Sequence, residues 1–291
     1  MCAAIRLSTV IRRVTLETAI VSRQGLPPLA QQPRKVHTIT DRFSMTNTYL
    51  INDERIIVVD PGSALNVRLV LDYLQHFLHR STTDIDLIVL THLHPDHSGG
   101  VELLHQVCHA PVAASVLAHD LVESWENGDG KGDHVLDKSR FYMGPPSDPD
   151  NSRDQEKKTF IISQVRYNKP LVGALHHLDL FAPHYQNQVQ MVDIWLEDVA
   201  GLPGHLNWRV IASPGHSPES LCLYNPFSYE LLCGDTIITV DDRSTLVRSG
   251  FNRGRLEQTL QTLRSLKVYY LYPGHGRPIL SSHAIASIQI E

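Results

Sequence analysis

Short apolar runs bounded by turn residues alternate with stretches of helical periodicity through most of the chain. Val36–Thr40, Asn47–Ile51 and Arg55–Val59 have strand length and composition, and Asn52-Asp53 between the last two predicts a hairpin that ends at Asp60-Pro61-Gly62. Val67, Val70, Leu71, Leu74, Phe77 and Leu78 recur at helical spacing, which predicts an amphipathic helix laid over a sheet. Asp86-Leu87-Ile88-Val89-Leu90 reads as a buried strand. A helix through Val101–Leu104, a short strand at Pro111–Ala114 and a helix over Val116–Ser124 follow it. Three later β-rich runs, Arg209–Ala212, Glu230–Cys233 and Val268–Leu271, predict further buried strands, with a helix over Leu256–Leu266 before the last. Val240–Gly250 reads as a loop that carries Arg243 and Arg248, with Arg253 close behind. At the N-terminus Thr9–Val21 is β-branched enough for a strand, and Gln24–Pro33 is a Pro/Gln-rich connection.

The texture changes from Trp125 to Asn207. Asn127–Asp133 is glycine-rich and Gly144–Asp154 is rich in Pro, Ser and Asp, so neither can bury much apolar surface. Residues 125–207 are therefore expected to be an insertion of the kind that forms a lid or a homodimer contact. His134, His176, His177, His184 and His205 fall within it, sit in no motif, and read as surface or packing residues.

Composition narrows the partners. A 291-residue chain with 42% hydrophobic content can fill a sizeable core. A formal net charge of −5 gives no overall attraction to nucleic acid or an anionic membrane, so a small-molecule substrate is expected. No apolar run approaches the roughly 20 residues a membrane span needs. Cys2, Cys108, Cys222 and Cys233 lack both metal-site and disulfide-framework spacing. Buried thiols and the lack of a secretory h-region make a cytoplasmic location the expectation.

The candidate chemistry lies in Thr91-His92-Leu93-His94-Pro95-Asp96-His97-Ser98-Gly99-Gly100, directly after a predicted strand. His92 and His94 share a side by the two-residue alternation of a strand, and Asp96 and His97 follow in a turn. Such a cluster suits two adjacent metal ions. Three more candidates share one grammar: His216 after Ser213-Pro214-Gly215, Asp235 after Cys233-Gly234, and His275 after Tyr272-Pro273-Gly274 each follow a predicted strand through a glycine. Imidazole and carboxylate without thiolate suit Zn²⁺, Mn²⁺ or Fe²⁺.

The motif His-x-His-x-Asp-His after a buried strand, with Asp60, His216, Asp235 and His275 in order around it, resembles the metallo-β-lactamase superfamily. The resemblance implies one α/β domain over residues 1–291, a four-layer αβ/βα sandwich with the site on one edge. It implies two divalent metal ions, Zn²⁺ first, with Fe²⁺ and Mn²⁺ as alternatives. His92, His94 and His216 would hold one ion, Asp96, His97 and His275 the other, and Asp235 would bridge them. Asp96 would also orient a metal-generated hydroxide, and Asp60 would support a ligand loop. The main type of zinc β-lactamase carries cysteine where Asp235 stands. Glyoxalase II enzymes append a helical domain, whereas 16 residues follow His275 here. Nucleases of the β-CASP type insert a domain between the last two ligands, and the tRNA-gripping arm of RNase Z has no counterpart. The resemblance therefore implies a stand-alone hydrolase of an ester, thioester or lactone, similar to glyoxalase II-like and lactonase-like members. The alternative is a phosphodiesterase or nuclease of the RNase Z-like type.

Overall fold

Leu223 and Leu232 face one side of their sheet while Cys222, Tyr224, Leu231 and Cys233 face the other, and this alternation sorts the chain into layers. The computed structural model describes residues 35–41, 45–126, 189, 191–240, 244–247, 252–281, 283–286 and 288–290. The readings made for Thr9–Val21, Gln24–Pro33, His134, His176, His177, His184, Arg243 and Arg248 lie outside the described residues. The chain divides into two compact units, one of Met1–Ala118 with Met191–Glu291 and one of His119–Gln190.

The first unit holds two six-stranded sheets. The first runs in the order β1 (Val36–Thr40), β2 (Asn47–Asn52), β3 (Ile56–Val59), β4 (Ile85–Val89), β5 (Val112–Ser115) and β6 (Ile194–Leu196). β3, β4, β5 and β6 pair in parallel. Crossover helices α1 (Ala64–His76) and α3 (Val101–Cys108) connect β3 to β4 and β4 to β5, with the one-turn α2 (Pro95–Ser98) between β4 and α3. The second sheet orders as β14 (Ile279–Leu280), β13 (Tyr270–Pro273), β10 (Glu230–Gly234), β9 (Leu221–Asn225), β8 (His205–Ala212) and β7 (Gly201–Leu202). A small third sheet joins β11 (Ile238–Val240), β12 (Ser244–Val247) and β15 (Gln289–Ile290). In the second unit the described residues form α4 (His119–Glu126).

The inner faces of the two large sheets meet. Tyr49, Ile51, Ile57, Val59, Leu87 and Val89 of the first pack with Trp208, Val210, Leu223, Leu232, Tyr270 and Tyr272 of the second. Helix α5 (Arg253–Arg264) lays Leu256, Leu260 and Leu263 on the outer face of the second sheet, against Ile211, Cys222, Leu231, Cys233 and Leu271. On the first sheet's outer face α1 packs beside β1 and α3 beside β4, burying Val67, Val70, Leu74 and Leu104. Helix, sheet, sheet, helix is the αβ/βα sandwich that the resemblance implied. Among the described residues no helix is long and apolar enough to cross a membrane.

Three local differences from the sequence reading have physical causes. The loop expected over Val240–Gly250 contains a strand, Ser244–Val247, that pairs antiparallel with Ile238–Val240, the β-branched residues of both halves favouring a hairpin. Asp96 and His97 lie in the helical turn α2, because Pro95 at its first position presets the helical φ. Of the segment 125–207 expected as an insertion, 127–188 lie outside the described residues. Its C-terminal part supplies sheet strands: Ile194–Leu196 pairs with β5, and Gly201–Leu202 with β8.

Candidate metal centre

β3 and β4 are parallel, as are β10 and β13, and β8 shares the direction of β10 because each is antiparallel to β9. Parallel strands deliver their C-terminal ends to one edge. Asp60 follows β3, His92 and His94 follow β4, His216 follows β8, Asp235 follows β10 and His275 follows β13. Backbone bonds knit the two sheets at this rim: Leu221 donates to the Thr91 carbonyl at 2.8 Å, and Asn47 to that of Gly274 at 2.8 Å.

The side chains converge into two groups. His92, His94, His216 and Asp235 form one; Asp96, His97 and His275 form the other, with ligand atoms in each group within 4.8 Å of one another. His216 Nε2 stands 3.0 Å from His94 Nδ1 and 3.5 Å from Asp235 Oδ2. His275 Nε2 stands 3.2 Å from Asp96 Oδ2, 3.4 Å from His97 Nε2 and 3.5 Å from Asp235 Oδ2. Asp235 Oδ1 lies 3.3 Å from His97 Nε2, so this one carboxylate touches both groups. Gly274 keeps it there, because a Cβ at Gly274 would overlap Asp235 Oδ1 and fall 2.7 Å from His97 Cε1.

Three imidazoles are tied through one ring nitrogen and offer the other. His97 Nδ1 bonds Asp60 Oδ2 at 3.0 Å, His92 Nδ1 bonds Thr91 Oγ1 at 3.1 Å, and His275 Nδ1 donates to the Met45 carbonyl at 3.2 Å. Such ties fix ring orientation and raise ligand basicity. Asp60 is fully committed to holding this rim, since it also accepts from the Thr91 amide at 2.8 Å and the Thr91 hydroxyl at 2.7 Å.

A divalent ion fits this donor set. His92 Nε2 and Asp235 Oδ1 are buried with no hydrogen-bond partner, a costly arrangement for a site that holds nothing. Burial pushes His94 down to about 4 and His216 to about 3, so both are neutral donors at neutral pH. Burial also disfavours charge on His275, but Asp235 and Asp96 outweigh it and raise His275 to about 10. His97 is likewise held well above its usual range, against burial, by Asp235, Asp96 and Asp60. Burial alone would raise Asp235, yet His275 and His97 hold it well below the usual carboxylate range. Cations here must displace those imidazolium protons. No thiolate takes part: Cys233, two residues before Asp235, faces the α5 side and bonds the carbonyls of Ile237 and Tyr272 at 3.5 Å each.

Two other sequence candidates sit elsewhere. His205 pairs with Asp86 at 3.4 Å and is not among the converging groups. Arg253 opens α5, is more than half exposed, and pairs with Glu257 at 3.2 Å.

Sequence reasoning missed Thr91, Met45, Asn47 and Glu219. The available signal for Asn47 was a polar residue within an apolar strand. It is fully buried, receives a bond from Thr40 Oγ1 at 2.7 Å, and donates through Nδ2 to the carbonyls of Pro273 at 2.9 Å and Gly276 at 2.7 Å. It thereby clamps the His275 loop on both sides. Asn47→Asp keeps the size but removes both donors, and is expected to cost roughly 2–4 kcal/mol by orphaning buried carbonyls. Metal affinity on the His275 half should fall about 10–100-fold, read by urea denaturation and elemental analysis.

Residues 41–275 match the family model described as the metallo-beta-lactamase superfamily. The probable metallo-hydrolase YqjP of Bacillus subtilis is 21% identical over 254 residues, covering 81% of this chain and 69% of YqjP. The fold is similar to the metallo-beta-lactamase family protein TTHA1429 from Thermus thermophilus, with TM-score 0.58 and 18% identity, covering 86% of this chain and 76% of that one. It is also similar to TTHA1623 in a di-iron-bound form, with TM-score 0.50 and 20% identity, over 84% and 94% of the two chains. With the match running from Asp41 to His275, across every converging side chain, the chain belongs to the metallo-β-lactamase superfamily.

Proposed function

We propose that the chain is a two-metal hydrolase that cleaves an ester, thioester or lactone of a small molecule. The observation that carries this is the convergence of five imidazoles and two carboxylates on one edge, with Asp235 in reach of both groups. His92, His94 and His216 would hold one ion and Asp96, His97 and His275 the other. Two bound divalent ions, Zn²⁺ first with Fe²⁺ and Mn²⁺ as alternatives, would supply Lewis acidity that lowers the pKa of water toward about 7 and polarises the scissile carbonyl.

The chain's own residues orient and move the proton. Asp96 keeps a 26% exposed side chain on the open side, whereas that of Asp235 is 10% exposed. Its Oδ2 can accept a hydrogen bond from the attacking water, take that proton and return it to the leaving oxygen or sulfur. The cationic charge held by Asp96, His97 and His275 together would keep the carboxylate ionised for the first transfer.

The acyl class is supported by the net charge of −5, which gives no overall attraction to a chain of phosphates. Buried free thiols at Cys108, Cys222 and Cys233 fit the reducing interior of a cell. The test is one metal-loaded preparation assayed on an acyl-thioester, a lactone, a bis-aryl phosphodiester and RNA. An acyl substrate should turn over fastest, and Asp96→Asn should lower its kcat by about 10²–10⁴-fold. Faster metal-dependent cleavage of RNA would overturn the acyl reading.

A further inference from the structure

Glu219 is buried at 4% exposure in the loop that carries His216. Its Oε1 accepts from the Leu93 amide at 3.2 Å, and that amide lies between His92 and His94. Its Oε2 is buried without a hydrogen-bond partner, and no ion pair is formed by Glu219 among the described residues. A carboxylate enclosed this way needs a cation close by. The half of the site built from His92, His94 and His216 has one carboxylate, Asp235, and shares it with the other half. Asp96 serves the His97 and His275 half, Asp60 is taken up by Thr91 and His97, and Asp235 is divided between the two halves.

We propose that Glu219 is a positioning residue that supplies negative charge to the half whose one carboxylate is shared, holding the His92-Leu93-His94 backbone and balancing the ion bound there. This rests on the two-metal reading above. A plain structural tie would need only the hydrogen bond to Leu93; the enclosed second oxygen is explained by the charge.

The test uses full-length protein with Glu219→Gln, which keeps the acceptor for Leu93 and removes the charge, and Glu219→Ala, which removes both. Zn²⁺ affinity is measured by chelator competition, the visible spectrum is recorded with Co²⁺, and melting is followed without metal. Glu219→Gln should weaken one of the two Zn²⁺ sites about tenfold or more, the range seen for residues that support ligands, and shift the Co²⁺ bands. Its metal-free melting temperature should stay level or rise, because an enclosed charge has gone. Glu219→Ala should bind no more tightly than Glu219→Gln. If Glu219→Gln binds both ions as tightly as wild type, or loses affinity only in step with a fall in metal-free stability, the charge-balancing role is overturned while the two-metal reading stands. If wild type itself binds no metal, both fall.

Discussion

Asp235→Ala is expected to leave purified protein with fewer than one metal ion per chain. Every other candidate ligand belongs to one group, but the Asp235 oxygens lie 3.3 Å from His97, 3.5 Å from His216 and 3.5 Å from His275. Removing it therefore takes an anionic donor from both groups at once. It also leaves His275 facing Asp96 alone and His97 facing Asp96 and Asp60, so burial gains weight and their imidazoles move back toward neutrality. Residues that merely support ligands cost about 10–100-fold in metal affinity, and a shared ligand should exceed the upper figure. Hydrolysis should fall with it. Elemental analysis after Zn²⁺ loading and gel filtration reads the result, with far-UV circular dichroism to confirm folding. Two ions retained per chain would show that Asp235 does not bridge.

The second large effect is expected at Asp60, which touches no substrate. It is 1% exposed and accepts from the Thr91 amide, the Thr91 hydroxyl and His97 Nδ1, joining the ends of two neighbouring parallel strands. It does so from a left-handed backbone, at φ 52°. Asp60→Ala leaves those donors without an acceptor and should cost about 3–5 kcal/mol, the range for breaking a buried charged pair. Asn tolerates the left-handed region and keeps one acceptor, so Asp60→Asn should cost about half as much. Urea midpoints measure both variants. In Asp60→Ala the unanchored His97 ring should also lower metal content. A loss below about 1 kcal/mol with full metal content would mean that the loop is held by something else.

Much of this site was legible in the sequence because its information is local. His92, His94, Asp96 and His97 lie within six residues, and glycines beside His216, Asp235 and His275 mark the turns after buried strands. The two-residue period of a strand and the 3.6-residue period of a helix were enough to find β4, β10, β13, α1 and α5. What the local pattern did not contain was which strand ends would meet. That follows from pairing between distant segments: Asn47 reaches a carbonyl 226 positions away, and Glu219 an amide 126 positions away. Side-chain direction at the rim was also out of reach: Cys233 faces α5, while Asp235, two residues on, faces the metal groups. A short edge strand such as Ile194–Leu196 gains its stability from its neighbour β5 rather than from its own length. The residue types by themselves determined a chemistry of imidazole and carboxylate. The tertiary structure decided which oxygen is shared, which nitrogen is tied and which charge is left to be balanced, because hydrogen-bond partners and burial exist only once distant strands have come together.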